Sequence, residues 1–331
     1  MTVSRALREG TSVDPEVRER VRETAHNLGY QTDLRVSHVM SAMRKSEIPQ
    51  YREGLAFIWT RSSTGRTADH VFYDKEFEGA RRRADQLGYR LDEFHITDPK
   101  LNGRELSRLI LSRGIRGVVI APASAGLIRS HIWLDWQHFC CVLLGSSLAN
   151  KGLARVEHDH YLGCVLAVRR LRRKRHQRIG LVLSPALDKR TADLIQSAFL
   201  SFHPLGSHEA RKLIFTSDLY KSQLINKWIK KNAPDIFLAR VENIHSIKKH
   251  FLYRNIPIAT LSWNEAEPEI AGIDQHRFSV GEQTIDLLLE RLKGNRFGLD
   301  PVAPSIRIPG SWMDGESLDM RPAKSSPSKR K

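Results

Sequence analysis

Cysteine is scarce in this chain. Three occur among 331 residues: Cys140, Cys141 and Cys164. Two neighbours and a distant third fit neither a disulfide framework nor zinc-ligand spacing. Buried thiols in a reducing compartment are the expectation. Long hydrophobic runs are also missing. No stretch is long enough to span a bilayer, and no leading apolar segment follows a charged start. That points to a cytoplasmic protein with no membrane partner. Catalytic motifs are missing too: there is no glycine-rich phosphate loop, serine-nucleophile elbow, zinc-ligand helix or paired-cysteine motif. The fourteen histidines are scattered. His158 and His160 flank Asp159, and that spacing reads first as a polar loop. The chain is therefore not read as an enzyme, and no metal or cofactor is expected.

Negative charge is in short supply. The chain has 53 Lys and Arg against 37 Asp and Glu, a net charge of +16. Such an excess favours a polyanionic partner. Its location tempers that reading. Residues 1–45 carry eight Lys/Arg against six Asp/Glu, so the N-terminus is only mildly basic. Much of the excess lies in Arg169 to Arg175 and in the tail Lys324 to Lys331. A basic helix face fits a polyanion or a solvated surface equally well. The tail, with Pro322, Pro327 and three serines, reads as disordered.

The N-terminus reads as two short helices. Ser4, Arg5 and Arg8 share one side of the first, with Val3, Ala6 and Leu7 on another. Gly10, Thr11 and Ser12 break it. Asp14 suits an N-cap, Pro15 the first helical position, and Glu16 the acidic first turn. Val17, Val21, Ala25 and Leu28 then recur at helical spacing up to Gly29. From Gly54 onward strands alternate with helices. Strand signals fall at Leu55 to Trp59, Tyr89 to Phe94, Gly117 to Pro122, Cys140 to Leu144, Arg178 to Leu183, Ile236 to Ala239 and Ile258 to Leu261. Helix signals include Phe72 to Leu87, Glu105 to Arg113, residues 161–175 and Thr191 to Phe202. The pattern predicts an α/β fold with mainly parallel, doubly wound sheets.

Thr2-Val3-Ser4-Arg5-Ala6-Leu7, followed by Glu19-Arg20-Val21 and Leu28-Gly29-Tyr30, resembles the DNA-binding headpiece of the lac repressor (LacI-type) family of transcription regulators. Further matches are Glu78-Gly79-Ala80, Ala84 to Tyr89, Arg116 to Ile120, His176 to Val182 and Val280-Gly281-Glu282. The resemblance covers roughly residues 2–318. It implies a periplasmic-binding-protein-like effector domain of two doubly wound subdomains, preceded by an all-α helix-turn-helix headpiece. The first headpiece helix would lie before residue 1, so residues 1–33 are read as a partial headpiece. Residues 34–46 are the hinge helix or linker, and residues 54–320 the effector-binding and dimerisation domain. Subdomain N is expected at about 54–158 plus 275–302, and subdomain C at about 159–274 plus 303–320. The chain would cross between them near Asp159, Gln275 and Val302. Residues 321–331 form the basic tail.

The resemblance implies a homodimer on a near-palindromic double-stranded operator. Thr2, Val3, Ser4, Arg5 and Arg8 would then reach bases and phosphates from the recognition helix. Tyr30 and Arg35 would touch the DNA backbone. Val39, beside Met40, would take the minor-groove wedge position of the hinge. For a small-molecule effector, in this family typically a saccharide, the matching cleft positions are Arg190, Asp159, Trp263, Asn264 and Gln275, with Ser62 and Asp69 as weaker candidates. The arginine fork suits hydroxyls or a carboxylate, and Trp263 suits stacking on a sugar face.

Two departures bear on the ligand. The family's Ala-Asn-Asp segment is here Ala239-Arg240-Val241, and its Gly-Tyr-Asp-Asp turn is Leu261-Ser262-Trp263-Asn264. One change removes a negative charge and the other adds a positive one. An anionic ligand, an unusual saccharide or no ligand would fit. The functional expectation is a ligand-responsive repressor. The competing expectation is a ligand-binding module of the same fold without autonomous DNA binding.

Overall fold

The computed structural model describes residues 14–27, 53–60, 68–96, 103–123, 131–216, 222–240 and 256–318. The chain divides at Arg52 into two units. In the first, helix α1 spans Pro15–Asn27. Its start is set by chemistry visible in the sequence. The Asp14 carboxylate accepts hydrogen bonds from the backbone N–H of Glu16 at 3.0 Å and Val17 at 3.4 Å, as an N-cap does. The residues expected to contact DNA, Thr2, Val3, Ser4, Arg5, Arg8, Tyr30, Arg35, Val39 and Met40, lie outside the described residues.

Among the described residues the second unit holds two six-stranded sheets. The first contains β1 (Gly54–Trp59), β2 (Arg90–His95), β3 (Gly117–Ile120), β4 (Cys140–Leu144), β5 (Ala154–His158) and β11 (Ser305–Ile308), in the order β11-β5-β4-β3-β1-β2. All its pairings are parallel. The second contains β6 (Ile179–Leu183), β7 (Ile214–Thr216), β8 (Ile236–Ala239), β9 (Ile258–Thr260), β10 (Gly272–Asp274) and β12 (Ser311–Met313), in the order β12-β10-β9-β8-β6-β7. Among the described residues only β12 runs antiparallel to its neighbour. The doubly wound α/β prediction holds.

Continuous apolar strands require cover on both faces, and the helices supply it. Leu55, Phe57 and Trp59 pack with Ala80 and Ala84 of α2 (Ala68–Gln86) and Ile285 and Leu288 of α9 (Arg277–Lys293). Ala56 and Ile58 face the other way, onto Leu106 and Ile110 of α3 (Gly103–Ser112). In the second lobe α4 (His160–Arg173) and α6 (Leu194–Phe202) cover one face. Helix α8 (Ser222–Asn232) covers the other through Ile225 and Ile229. Two shorter helices, α5 (Pro185–Arg190) and α7 (Gly206–Lys212), complete the set among the described residues. All three cysteines are free and buried.

Helices α2 and α9 touch backbone to backbone. A Cβ on Gly79 would run into the Phe278 carbonyl oxygen, and one on Gly281 into that of Glu76. The two glycines clear reciprocal space, and that brings Glu76 beside Arg277.

One crossing between lobes differs from expectation. It was placed near Val302, but β11 stays in the first sheet, paired in register from Ser305↔Arg155 to Ile308↔His158. The chain crosses at Pro309-Gly310 instead. The cause is local: a Cβ on Gly310 would sit 2.7 Å from the Asp274 carbonyl oxygen and 2.8 Å from His158 Cε1. Only glycine threads that gap.

Candidate functional site

In both sheets the strand order reverses, at β1 between β2 and β3 and at β6 between β7 and β8. Carboxyl ends of parallel strands at such switch points form ligand crevices. The two lobes here face each other across one. Its inner chamber, of about 50 Å³, is lined from the first lobe by Glu76, Ser146, Glu157 and His158 and from the second by His160, Arg190 and Arg240. Gln275 and Arg277, at the crossing into α9, complete it. An outer chamber of about 160 Å³ is lined by Lys75, Trp263, Asn264 and Glu265. Arg277 lines both.

Charge dominates the inner chamber. Arg277 Nη1 stands 3.2 Å from Glu76 Oε1, with both side chains 11% exposed. Its Nη2 donates to Gln275 Oε1 at 2.7 Å and to Ser262 Oγ at 3.4 Å. Gln275 in turn donates to the Leu261 carbonyl at 2.7 Å. The glutamine therefore orients the arginine. Burial pushes Glu76 up to about 7, against the opposing pull of Arg277, Arg240 and Arg190. Burial also holds His158 down at about 3, reinforced by Arg277. His160, edge-on to His158 at 5.0 Å, is held well below the usual imidazole range by burial and by His158. Glu157 is paired with Arg307 at 3.2 Å. Arg190 Nη1 donates across the cleft to the Ala123 carbonyl at 3.0 Å, and Lys75 meets Glu265 at 2.9 Å across the mouth.

Several buried polar atoms have no hydrogen-bond partner among the described residues. Those around the inner chamber include Glu76 Oε2, Ser146 Oγ, Glu157 Oε2 and His158 Nδ1, and Trp263 Nε1 is one at the outer. Orphaned polar atoms cost stability, and a cluster of them around one cavity is what a ligand's polar groups would satisfy. No group of three or more metal-ligating side chains occurs among the described residues.

The sequence-derived cleft residues separate. Arg190 and Gln275 line the inner chamber, and Trp263 and Asn264 the outer. Asn264 Oδ1 accepts from Ala266 N at 3.2 Å, an Asx turn. Asp159 lines neither chamber. It caps α4 by accepting from Leu162 N at 2.8 Å. Asp69 falls in the first turn of α2 rather than in a loop, because the helix begins at Ala68, not Phe72; its side chain lies outside the described residues, as does Ser62. Sequence reasoning missed Glu76, Ser146, Glu157 and Arg277, and it read His158 and His160 as a polar loop. Arg240 was visible as a departure in charge.

The His158 ring sits against Gly163 as well as Gly310. A Cβ at Gly163 would stand 2.7 Å from His158 Nε2. Gly163→Ala should swing the ring into the chamber. The expected result is a changed His158 imidazole resonance by NMR, with Tm falling by only about 2–4 °C. An unmoved resonance would mean the helix, not the ring, yields.

No protein-family model matches the chain, and no curated protein matches it by sequence. Solved structures match by fold. A putative LacI-family transcriptional regulator from Rhizobium etli superimposes with TM-score 0.60 at 14% identity, over 80% of this chain and 98% of that one. The lac repressor dimer bound to operator and the anti-inducer ONPF gives 0.54 at 16% identity, over 96% and 94%. A periplasmic binding protein/LacI transcriptional regulator from Alkaliphilus metalliredigens, complexed with D-xylulofuranose, gives 0.54 at 14% identity, over 80% and 98%. At these identities the likeness establishes the fold. It is that of the LacI-type regulators, with their periplasmic-binding-protein-like pair of lobes. Among the described residues no helix is long and apolar enough to cross a membrane.

Proposed function

We propose that this chain is a ligand-responsive, DNA-binding transcription regulator that represses from a near-palindromic site as a homodimer in the cytoplasm. The observation that carries this reading is the polar cleft between two doubly wound lobes, in a chain whose residues 2–30 resemble part of the family's DNA-binding headpiece. The operator-bound neighbour adds support. Thr2, Val3, Ser4, Arg5 and Arg8 would read the DNA, Tyr30 and Arg35 its backbone, and Val39 with Met40 the minor groove. Arg190, Arg240, Gln275 and Arg277 would hold the effector in the inner chamber, and Trp263 and Asn264 would border it. A ligand that binds the closed cleft better than the open one shifts the lobes toward closure. That shift would change the order of the hinge segments and so the affinity for DNA.

The test is selection of genomic fragments by the purified chain, followed by sequencing. A recurring near-palindrome is expected, with affinity falling about 10³- to 10⁵-fold between 50 and 200 mM salt if six to ten phosphates are contacted. Recovery of fragments at random, from a protein that still binds ligand in its cleft, would favour the module without DNA affinity.

A further inference from the structure

We propose that the end of the second lobe remote from the cleft is a contact for double-stranded DNA, one that grips phosphates without reading sequence. This surface is separate from the N-terminal residues to which the regulator reading assigns the operator. The basic run of α4 lines neither chamber. Helix α4 begins beside the cleft, where His160 lines the inner chamber. It ends 14 residues on, at Arg173, about 20 Å away at about 1.5 Å per residue. Arg169, Arg170, Arg172, Arg173, Lys174 and Arg175 are all exposed there, while Leu171 between them is buried. Two more helices finish at the same end, because each leads into a strand parallel to β6. Helix α7 brings exposed Arg211, and α8 brings exposed Lys230 and Lys231.

The carboxylates near these cations are engaged. Asp235 accepts from the backbone N–H of Gln177 and Arg178 and faces His176 at 3.5 Å. Glu209 pairs with Lys212 at 2.6 Å. Asp314 stands 3.8 Å from Lys174 and accepts from Trp312 Nε1. Arg169 stacks over the Phe202 ring at 5.2 Å. The guanidiniums of Arg170, Arg172, Arg173 and Arg175 have no hydrogen-bond or ion-pair partner among the described residues. Like charges three and four apart on a helix repel, which sets Arg169 against Arg172 and Arg173, and Arg170 against Arg173 and Lys174. The helix dipole, equivalent to about half a charge, is too small to offset six cations. Arg175 adds backbone strain: its φ is +71°, in the left-handed position after a helix that glycine takes without a clash. The counter-charge of this surface is external. Its chemistry selects the partner. Five of the six cations are arginines, whose planar forks suit phosphate oxygens. No aromatic or aliphatic side chain is exposed from Arg169 to Arg175. The run therefore offers no platform for stacking single-stranded bases and no apolar face for a membrane. A duplex backbone, with one charge per about 1.7 Å of axis, matches a dense strip of guanidiniums better than the scattered carboxylates of an acidic protein.

The test is titration of the full chain into a labelled duplex of random sequence, read by fluorescence anisotropy over a series of salt concentrations. Each phosphate contact contributes about 0.9 to the slope of log affinity against log salt. A variant carrying Arg172→Gln, Arg173→Gln and Arg175→Gly together should therefore lower that slope by about 2.7. It should melt no lower than wild type, because glycine suits the backbone at 175 and glutamine relieves the repulsion. A second measurement uses the wild-type protein alone. Phenylglyoxal should modify Arg172 and Arg173, as read by mass spectrometry, and a saturating duplex should abolish that modification. This result decides if the variant fails to fold. An unchanged slope in a folded variant, or arginines that the duplex leaves open to modification, overturns the proposal. So does polyglutamate binding to these arginines as tightly as the duplex, which would make the surface a dock for an acidic protein. If the slope is unchanged and a near-palindrome is still selected, only this surface falls. If the slope drops as expected and no near-palindrome is selected, the surface stands and the regulator reading falls.

Discussion

Gly281→Ala should destabilise the fold by about 3 kcal/mol, the upper part of the usual range for overpacking, and lower Tm by roughly 5–10 °C. The methyl would meet the Glu76 carbonyl and come within 2.8 Å of Ala80 N. Both obstacles are backbone atoms of α2, so no rotamer change relieves them. The helices must separate, and the separation is felt by Ala80, Ala84, Val280, Ile285 and Leu288, all buried in the core between helix pair and sheet. Gly79→Ala forces the same separation from the other side, against Phe278. The double variant should therefore cost less than the sum of the two, since one displacement serves both. Calorimetric melts measure this directly. A Gly281→Ala protein within about 0.5 kcal/mol of wild type, the scatter of neutral surface changes, would mean the helices are not in backbone contact.

Glu76→Gln should change how stability depends on pH. In the folded chain Glu76 titrates at about 7, against 4.5 when unperturbed. Between those values the folded state keeps a proton that the unfolded state has released. The protonated carboxyl's contribution is full below pH 4.5 and is lost as pH rises to 7, a change of about 3 kcal/mol. His158 and His160 act in the opposite sense. Their folded pKa values lie below 6.5, so stability falls as acid protonates them in the unfolded chain. Those two effects are common to wild type and variant, and the difference between the proteins isolates Glu76. Denaturant melts should show the glutamine variant gaining on wild type by about 3 kcal/mol between pH 4.5 and pH 8. A difference that stays constant across this range would show that Glu76 is ionised throughout.

Local chemistry was legible in the sequence. The Asp14 cap, the Pro15 start and the strongly apolar strands β1, β3, β4 and β6 depend on neighbours a few residues apart, and they appear where the pattern puts them. Short or polar strands were not legible. Strand β5 carries Arg155, Glu157 and His158, and β10, β11 and β12 have three or four residues each. Their place is fixed by pairing with distant strands rather than by periodicity. The third crossing was misplaced for this reason, because β11 looks like a linker until β5 lies beside it.

The cleft was half legible. Arg190, Gln275 and Trp263 were found through the family pattern, and Arg240 because it breaks that pattern. Glu76 and Arg277 are 201 positions apart. Nothing local joins them, since they meet only because Gly79 and Gly281 let two helix backbones touch. The same holds for His158. Its i, i+2 partner His160 was visible, but the space its ring occupies is made by Gly163 and Gly310, and no spacing rule connects those glycines to it. Gln275 lines the cleft as the family pattern implies, and its contacts to Leu261 and Arg277, which no local pattern signals, fix its amide there.

The most direct test of the account is the affinity of the chain for its selected DNA fragment, measured by fluorescence anisotropy at fixed salt with and without saturating cleft ligand. Coupling between the two sites predicts a change of about 5- to 150-fold, lost in Arg240→Met when the ligand is held at the concentration that saturates wild type. Equal affinity in both conditions, with the ligand shown to occupy the cleft, would mean that the cleft does not report to the DNA and would contradict the account.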